Sequence, residues 1–319
     1  MKLNAPLSLT EHSNNKLLIV GSGAIGLLWY SHFYLHVKES INCFLYQSPN
    51  KKKIHDVFHF TSLKNKTSAI RSSVITNNSH NSQSQKIDII LVCVKSYQLN
   101  QAIKDVHRFI SPTTIIIITH NGLGALNNDA AKLIANNITL NLLTTHGCLK
   151  QSKNEVIHTG EGISHLGIKF GQPDNVIASR ITEQLNTVLP EVVWCDDILT
   201  KQWLKLAINC VINPLTAIFD ITNGEVAQKR FDETINALID EIVVIAKEQQ
   251  INLNAAQLKE NVLLVAKKTK NNSSSMRCDV KQKRPTEVEY INGYIHRLGQ
   301  ELNILTPKNT ELYHQVLAL

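Results

Sequence analysis

No stretch of this 319-residue chain stays apolar for the roughly 18 residues that a membrane-spanning helix needs. The most apolar segment, Leu17 to Leu35, is interrupted by Gly21, Ser22, Gly23, Gly26, Ser31 and His32, which excludes a bilayer span there. The opening MKLNAPLSLTEHSNNK has no apolar region of signal-peptide type, so residues 1–15 read as a short polar extension and no membrane partner is expected. Cysteine is sparse: Cys43, Cys93, Cys148, Cys195, Cys210 and Cys278 form no C-x-x-C pair, and several sit in apolar runs. That pattern argues against a disulfide framework and for free thiols in a reducing cytoplasm. The histidines lack metal-ligand spacing; His55 and His59 are four apart with no third ligand nearby, and no metal is expected. A net charge of +7 is carried by lysines spread along the chain, clustered only at Lys51–Lys53 and Lys281–Arg284. Basic–aromatic interleaving is absent, so no nucleic-acid partner is expected, and a phosphate-bearing cofactor accounts for the sign of the charge.

What is present begins with a short apolar strand, Lys16 to Val20, running into Gly21-Ser22-Gly23-Ala24-Ile25-Gly26 and then a helical pattern through Leu27, Leu28, Trp29 and Phe33. G-x-G-x-x-G between strand and helix is the dinucleotide-binding turn: tight bend, close backbone approach to a pyrophosphate, helix packed on strand. The free N–H groups and dipole of the helix start favour the anion. A second strand, Ile41 to Tyr46, ends in Tyr46-Gln47-Ser48 with Lys51, Lys52 and Lys53 following, where an NAD-binding chain carries an acid for the ribose 2′-hydroxyl. Its absence and the three cations favour NADP. Residues 61–86 read as polar loops and short edge strands. Ile87–Val94 and Thr114–Ile118 are buried strands of parallel type separated by a helix at Gln101–Ile110, the doubly wound alternation. Ligands bind beyond the carboxyl ends of such strands, where Lys95, Asn121 and Gly122 fall. Residues 138–170 suggest an antiparallel extension of the sheet, followed by a helix at Val176–Leu189 and a strand at Val192–Trp194.

Strand signals then stop. The fold class is α/β: a doubly wound Rossmann-type domain over residues 1–195, then an all-α domain over residues 196–319, its first helix capped by Asp196 or Asp197. That helix carries Lys205, Asn209 and Asn213, each four residues after the last and so stacked on one face, amid Leu204, Leu206, Ile208, Val211 and Ile212. A lysine and two amides on a buried helix need partners. Pro214 denies the Cys210 carbonyl its donor, which predicts a kink or loosening there. A site for a small, oxygen-rich anion is one account of this group; amides that bridge neighbouring helices are the other. Phe231–Gln250 and Ala255–Lys268 are further helices, and Pro285 is placed to open one with Glu287 in its first turn.

Taken together, the glycine turn, Lys95, Asn121-Gly122-x-Gly124, the Lys205 stretch with Asn209 and Asn213, Asn223-Gly224, Ser275-Met276 and Thr286-Glu287 followed by Tyr290-Ile291-Asn292-Gly293-Tyr294 resemble the ketopantoate reductase (2-dehydropantoate 2-reductase) family. The resemblance covers nearly the whole chain. It implies NADPH-dependent reduction of 2-dehydropantoate to (R)-pantoate, on the way to pantothenate and coenzyme A, in a cleft between the two domains. It implies Lys205 as general acid and Glu287 as its catalytic companion, with Asn209, Asn213, Asn223, Ser275 and Asn121 on the substrate. Gly21, Ser22, Gly23, Ala24, Ile25, Gly26, Gln47, Lys95, Asn121 and Glu287 are implied on the cofactor, and the protein is a monomer or homodimer. Gln47 stands where many members carry an arginine for the 2′-phosphate. The alternatives are a related NADP-dependent 2-oxoacid reductase with another substrate and a non-catalytic NADP-binding regulatory protein.

Overall fold

The computed structural model describes residues 15–38, 41–49, 51–77 and 86–319, so the polar extension before Asn15 lies outside the described residues. The chain forms two compact units: one runs through His120 and resumes at Leu126–Ile198, the other comprises Asn121–Ala125 and Leu199–Leu319. Besides the division near residue 198, a five-residue segment after the strand at 115–118 therefore belongs to the second unit.

The first unit is built on an eight-stranded sheet. β1 (Asn15–Val20) pairs in parallel with β2 (Ile41–Gln47) on one side and β6 (Ile89–Val92) on the other, so the strand order turns at β1. β7 (Ile115–Ile118) and β8 (Thr139–Thr144) continue in parallel beyond β6, and β5 (Val74–Thr76) pairs in parallel with β2. β6 and β7 are buried at every position, as their unbroken Ile/Leu/Val runs require of strands covered on both faces. β11 (Ser164–Phe170) joins β8 antiparallel, and β12 (Val192–Trp194) closes that edge. The sheet is flanked by α1 (Ala24–His36), α2 (Leu99–Val106), α3 (Asn128–Leu133) and α4 (Asn175–Val188). Residues 138–170 depart from the expected single extension. β9 (Gly147–Lys150) and β10 (Glu155–Gly160) leave the main sheet and join β3 (Val57–Thr61) and β4 (Thr67–Arg71) in a second sheet of order β4-β3-β10-β9. The alternating burial of β3 and β10 fits a sheet with one covered face.

The second unit is helical: α5 (Ile198–Ile218), α6 (Asp232–Glu248), α7 (Ala255–Lys268), α8 (Ser275–Lys281), α9 (Asn292–Leu302) and α10 (Pro307–Leu317). Its core gathers Leu206, Val211 and Leu215 of α5, Leu238 and Ile242 of α6, Ile295 of α9 and Leu123 from the five-residue segment. Asp197 directly precedes α5, while Asp196 Oδ1 accepts from Trp194 Nε1 at 2.9 Å. α5 continues through Pro214 to Ile218. The Cys210 carbonyl, which the proline leaves without a helical donor, accepts from Asn292 Nδ2 at 2.9 Å instead. Asn292 also donates to Asn309 Oδ1 at 3.1 Å, and Asn309 Nδ2 donates to Glu241 Oε2 at 2.7 Å. Glu241 further accepts from the backbone N–H groups of Lys308 (2.7 Å) and Asn309 (2.9 Å), which have no partner inside the first turn of α10. Pro285 does not open a helix: a 3₁₀ turn at Val288–Tyr290 intervenes and α9 starts only at Asn292, with Glu287 at the cap of the short turn.

Asn292 is fully buried, so Asn292→Ala takes the donor from two buried oxygens, the Cys210 carbonyl and Asn309 Oδ1. The variant should unfold at lower urea with a loss of ~1–3 kcal/mol per stranded group. A midpoint equal to the parent's would show that the Cys210 carbonyl finds another donor.

Candidate active site

Lys205, Asn209 and Asn213 line one face of α5, the first two partly buried and Asn213 buried. Trp203, Leu206, Ala207, Cys210 and Val211, buried in the core, fix the rotation of the helix. Burial lowers the Lys205 ammonium from its ordinary value to about 8, and the nearby carboxylate of Glu287 pulls it back upward. Glu287 is itself buried and accepts from Asn121 Nδ2 at 3.2 Å on Oε2.

The meeting of Asn121 with Glu287 has a backbone cause. Gly122 sits at φ +81°, and a Cβ there would stand 2.1 Å from the carbonyl oxygen of Tyr290, so the segment lies flat on the 3₁₀ turn that begins after Glu287. The N–H of Leu123 donates to that same carbonyl at 2.9 Å, and Gln202 Nε2 of α5 reaches the Gly122 carbonyl at 3.4 Å. Ahead of Glu287 in the chain, buried Asp279 accepts from Arg284 at 2.7 Å and closes the turn that leads to the glutamate. Lys205, Glu287 and Asn121 are thus collected from three separate stretches of sequence.

The remaining expected substrate residues are placed differently. Ser275 is an exposed residue of the first turn of α8; its neighbour Ser274 is buried, accepts from the Arg277 N–H at 3.0 Å and from Thr216 Oγ1 at 2.7 Å, and so ties α8 to α5. Asn223 is buried: its Nδ2 donates to Thr269 Oγ1 at 3.0 Å, its N–H donates to Asn272 O at 3.0 Å, and its Oδ1 has no partner among the described residues.

In the first unit, Gly21 holds φ +114° at the turn of the strand order, with a hypothetical Cβ 2.4 Å from the carbonyl of Cys93. Lys95 follows that cysteine by two residues, ahead of a short turn in which its N–H donates to Gln98 Oε1 at 3.4 Å. Gly23 is the N-cap of α1 in extended conformation, with no side-chain cap, no acid in the first turn and, among the described residues, no heavy atom within 4 Å of where its Cβ would be. That open cradle of backbone N–H groups fits the pyrophosphate of a dinucleotide. Ile25 packs against the core of this unit; Ser22 O accepts from Lys150 Nζ at 2.8 Å and Ala24 O from Cys148 Sγ at 3.2 Å.

At the end of β2 the Gln47 amide is spent on its own loop. Nε2 donates to Ser48 O (2.8 Å) and Lys51 O (3.1 Å), and Oε1 accepts from the Ile54 N–H (2.7 Å), which shapes the loop presenting exposed Lys51, Lys52 and Lys53. Asp105 of α2 also reaches this place, accepting from Ser48 Oγ at 3.1 Å and from Gln101 Nε2 at 2.6 Å. No acid stands between Gln47 and Lys53, but Asp56 lies 3.9 Å from Lys53 and Asp105 reaches the same place from α2. Asp105 and Lys150 escaped sequence reasoning because neither lies in a local motif; their partners are 57 and 128 residues away. Among the described residues no group of three or more His, Cys, Asp or Glu is placed to hold a metal ion, and no helix is long and apolar enough to cross a membrane.

Comparison with known proteins agrees along the chain. Residues 17–170 match the family model described as ketopantoate reductase PanE/ApbA, and residues 197–319 match its C-terminal counterpart. The 2-dehydropantoate 2-reductase of Vibrio cholerae is 37% identical over 235 residues, 73% of this chain and 77% of that protein. That of Escherichia coli O157:H7 is 31% identical over 304 residues, 94% of each chain. Among solved structures, D-mandelate dehydrogenase with NADH and anilino(oxo)acetate superposes with a TM-score of 0.85, covering 95% of this chain and 97% of that one, at 20% identity; this likeness is one of fold.

If Glu287 is the group that raises Lys205, then Glu287→Gln should move the lysine's titration midpoint below about 8. NMR of ¹³C-dimethylated lysines across a pH series reads this directly, and an unmoved Lys205 signal would remove the pairing.

Proposed function

The chain belongs to the ketopantoate reductase family of oxidoreductases, and on that premise we propose that it reduces 2-dehydropantoate to (R)-pantoate with NADPH, Lys205 acting as general acid. The observation that carries the reading is a partly buried ammonium lowered to about 8 and held beside a buried carboxylate on the helical unit. A general acid works best when its pKa lies near the working pH, and burial has moved Lys205 there from the ordinary lysine range.

The chemistry follows from these groups. Gly21–Gly26 would hold NADPH, which would supply a hydride to the keto carbon and leave negative charge on the carbonyl oxygen. Lys205 Nζ stabilises that charge and then gives the oxygen its proton, leaving the amine neutral and the product an alcohol. Glu287 keeps the ammonium charged and oriented, and Asn121 holds one carboxylate oxygen of Glu287. Asn209 and Asn213, on the same face of α5, offer neutral donors and acceptors to the substrate's carboxylate and hydroxyl without adding charge that competes with Lys205. Ser275 and Asn223 complete the proposed substrate set, and Gly21–Gly26 with Lys95 the proposed cofactor set. For the 2′-phosphate, Lys51–Lys53 are the proposed contacts, presented by the loop that Gln47 ties, while Asp105 opposes them with its own charge. Six free cysteines suit a reducing compartment, and a cytoplasmic location is part of the same reading.

Lys205→Ala should lower kcat by ~10²–10⁴ while NADPH still binds. In the parent enzyme the reduction rate should fall as pH rises through about 8, where Lys205 loses the proton it must give. Near-normal turnover in the alanine variant, or a rate flat across that range, would take the acid role from Lys205. The second expectation is a larger kcat/KM for NADPH than for NADH; equal values would mean that Asp105 cancels the lysines.

A further inference from the structure

Three histidines from separate stretches of sequence stand in a row inside the first unit. His158 of β10 is the middle one, and its two ring nitrogens face different neighbours. Nδ1 lies 3.4 Å from Nε2 of His32 on α1, and Nε2 lies 3.1 Å from Nδ1 of His146, in the turn between β8 and β9. His146 and His158 are buried; His32 meets Phe60 of β3 edge-on and is stacked by exposed His36. The outer nitrogens of the row, His32 Nδ1 and His146 Nε2, are buried with no hydrogen-bond partner among the described residues. A middle ring that gives one nitrogen to each neighbour does not gather three imidazoles around a single metal ion, so the arrangement is a row and not a ligand set.

Counting protons shows what such a row can do. Each of its two links needs one hydrogen and one lone pair, and three neutral imidazoles carry one hydrogen apiece. Two hydrogens serve the links and the third sits at one end. A fourth fills the other end and leaves both links whole. A fifth puts two N–H groups face to face across a link and breaks it. Burial lowers all three rings, His32 to about 4, and the neighbouring imidazoles lower His32 and His158 further. Opposing them are the backbone at Val188, Pro190 and Gly160 and the carboxylate of exposed Glu161, which acts on His146 and His158.

The row joins the second sheet to α1. His158 pairs across the sheet with Cys148 of β9, whose Sγ donates to the Ala24 carbonyl at 3.2 Å where α1 begins. His32 meets His158 about two turns further along the same helix. We propose that His32, His158 and His146 form one proton-sharing latch, which holds β9 and β10 on α1 near neutral pH and releases them in acid. The closed row binds protons more weakly than free histidines do, so the latch is at full strength above about 6.5 and weakens as pH falls from there toward 4.

The test follows backbone hydrogen exchange in the full chain between about pH 7.5 and 5, corrected for intrinsic rates, with β6 and β7 as the reference. Each proton gained on opening raises the opening constant about tenfold per pH unit. Protection of β9 and β10 should therefore fall by about tenfold or more between pH 6.5 and 5, while β6 and β7 keep theirs. His158→Phe retains a ring but removes both links. Its β9 and β10 should be less protected than the parent's already at neutral pH, and the His32 midpoint should rise from about 4, because the imidazole that repels its proton is gone. Protection in the parent that is flat across this range overturns the latch, and so does a loss shared equally by β6 and β7, which is unfolding of the whole unit. Parent-like protection in His158→Phe overturns it as well. Should that variant fail to fold, imidazole ¹⁵N spectra of the parent decide: His146 and His158 each titrating near 6.5 with the second sheet still protected would show three independent rings.

Discussion

A proline in the middle of a helix leaves one carbonyl without its donor, and the helical unit is assembled around the answer to that vacancy. Pro214 cannot serve Cys210, and the side chain that does so is Asn292, the first residue of α9. An unserved carbonyl in an apolar core is costly, so the start of α9 is fixed against the middle of α5. Glu287 lies five residues before Asn292, one short turn away, and Lys205 lies five residues before Cys210 on α5. The anchor that repairs the helix thereby helps to bring the carboxylate to the lysine. From Asn292 the same constraint extends through Asn309 to Glu241, which caps α10, so these four groups form one connected set.

The doubly wound unit was legible because its signals are local. A glycine turn between strand and helix, and buried Ile/Leu/Val runs at β6 and β7, state their conformation within a few residues. The stripe of Lys205, Asn209 and Asn213 was legible for the same reason, since helical spacing alone stacks them. Where the reading slipped, the deciding partner was remote. Pro285 looked like a helix opener, but the segment after it is pinned by Tyr290 O accepting from Leu123 N–H and by the close approach of Gly122, 168 positions earlier in the chain. β9 and β10 looked like an extension of the main sheet because pairing partners are not written in a strand's own residues. The bond from Thr216 of α5 to Ser274, the residue before the motif's Ser275, is likewise remote in sequence.

The end of β2 shows how local charge is set by tertiary neighbours. Judged from Gln47 to Lys53 alone, the environment is cationic. In the folded unit the Gln47 amide is consumed in shaping the loop, so it acts on Lys51–Lys53 through backbone geometry. Asp105, meanwhile, places a carboxylate against Ser48 from a different helix. A cofactor's adenosine end would meet a balance of opposite signs rather than a uniform field, and small changes on α2 bear on it as directly as changes on β2.

The five residues Asn121–Ala125 carry a consequence for how such a chain can be divided. Both of their flanks belong to the sheet unit, yet Leu123 is a member of the helical core and Asn121 binds the helical unit's glutamate. The polypeptide thus crosses from one unit to the other three times, and no single cut yields two complete pieces. A fragment starting at Leu199 would fold with a gap where Leu123 belongs and with Glu287 missing its amide partner. Modular exchange of the helical half between relatives therefore requires the loop after β7 to travel with it, as an inheritance unit that is discontinuous in the gene.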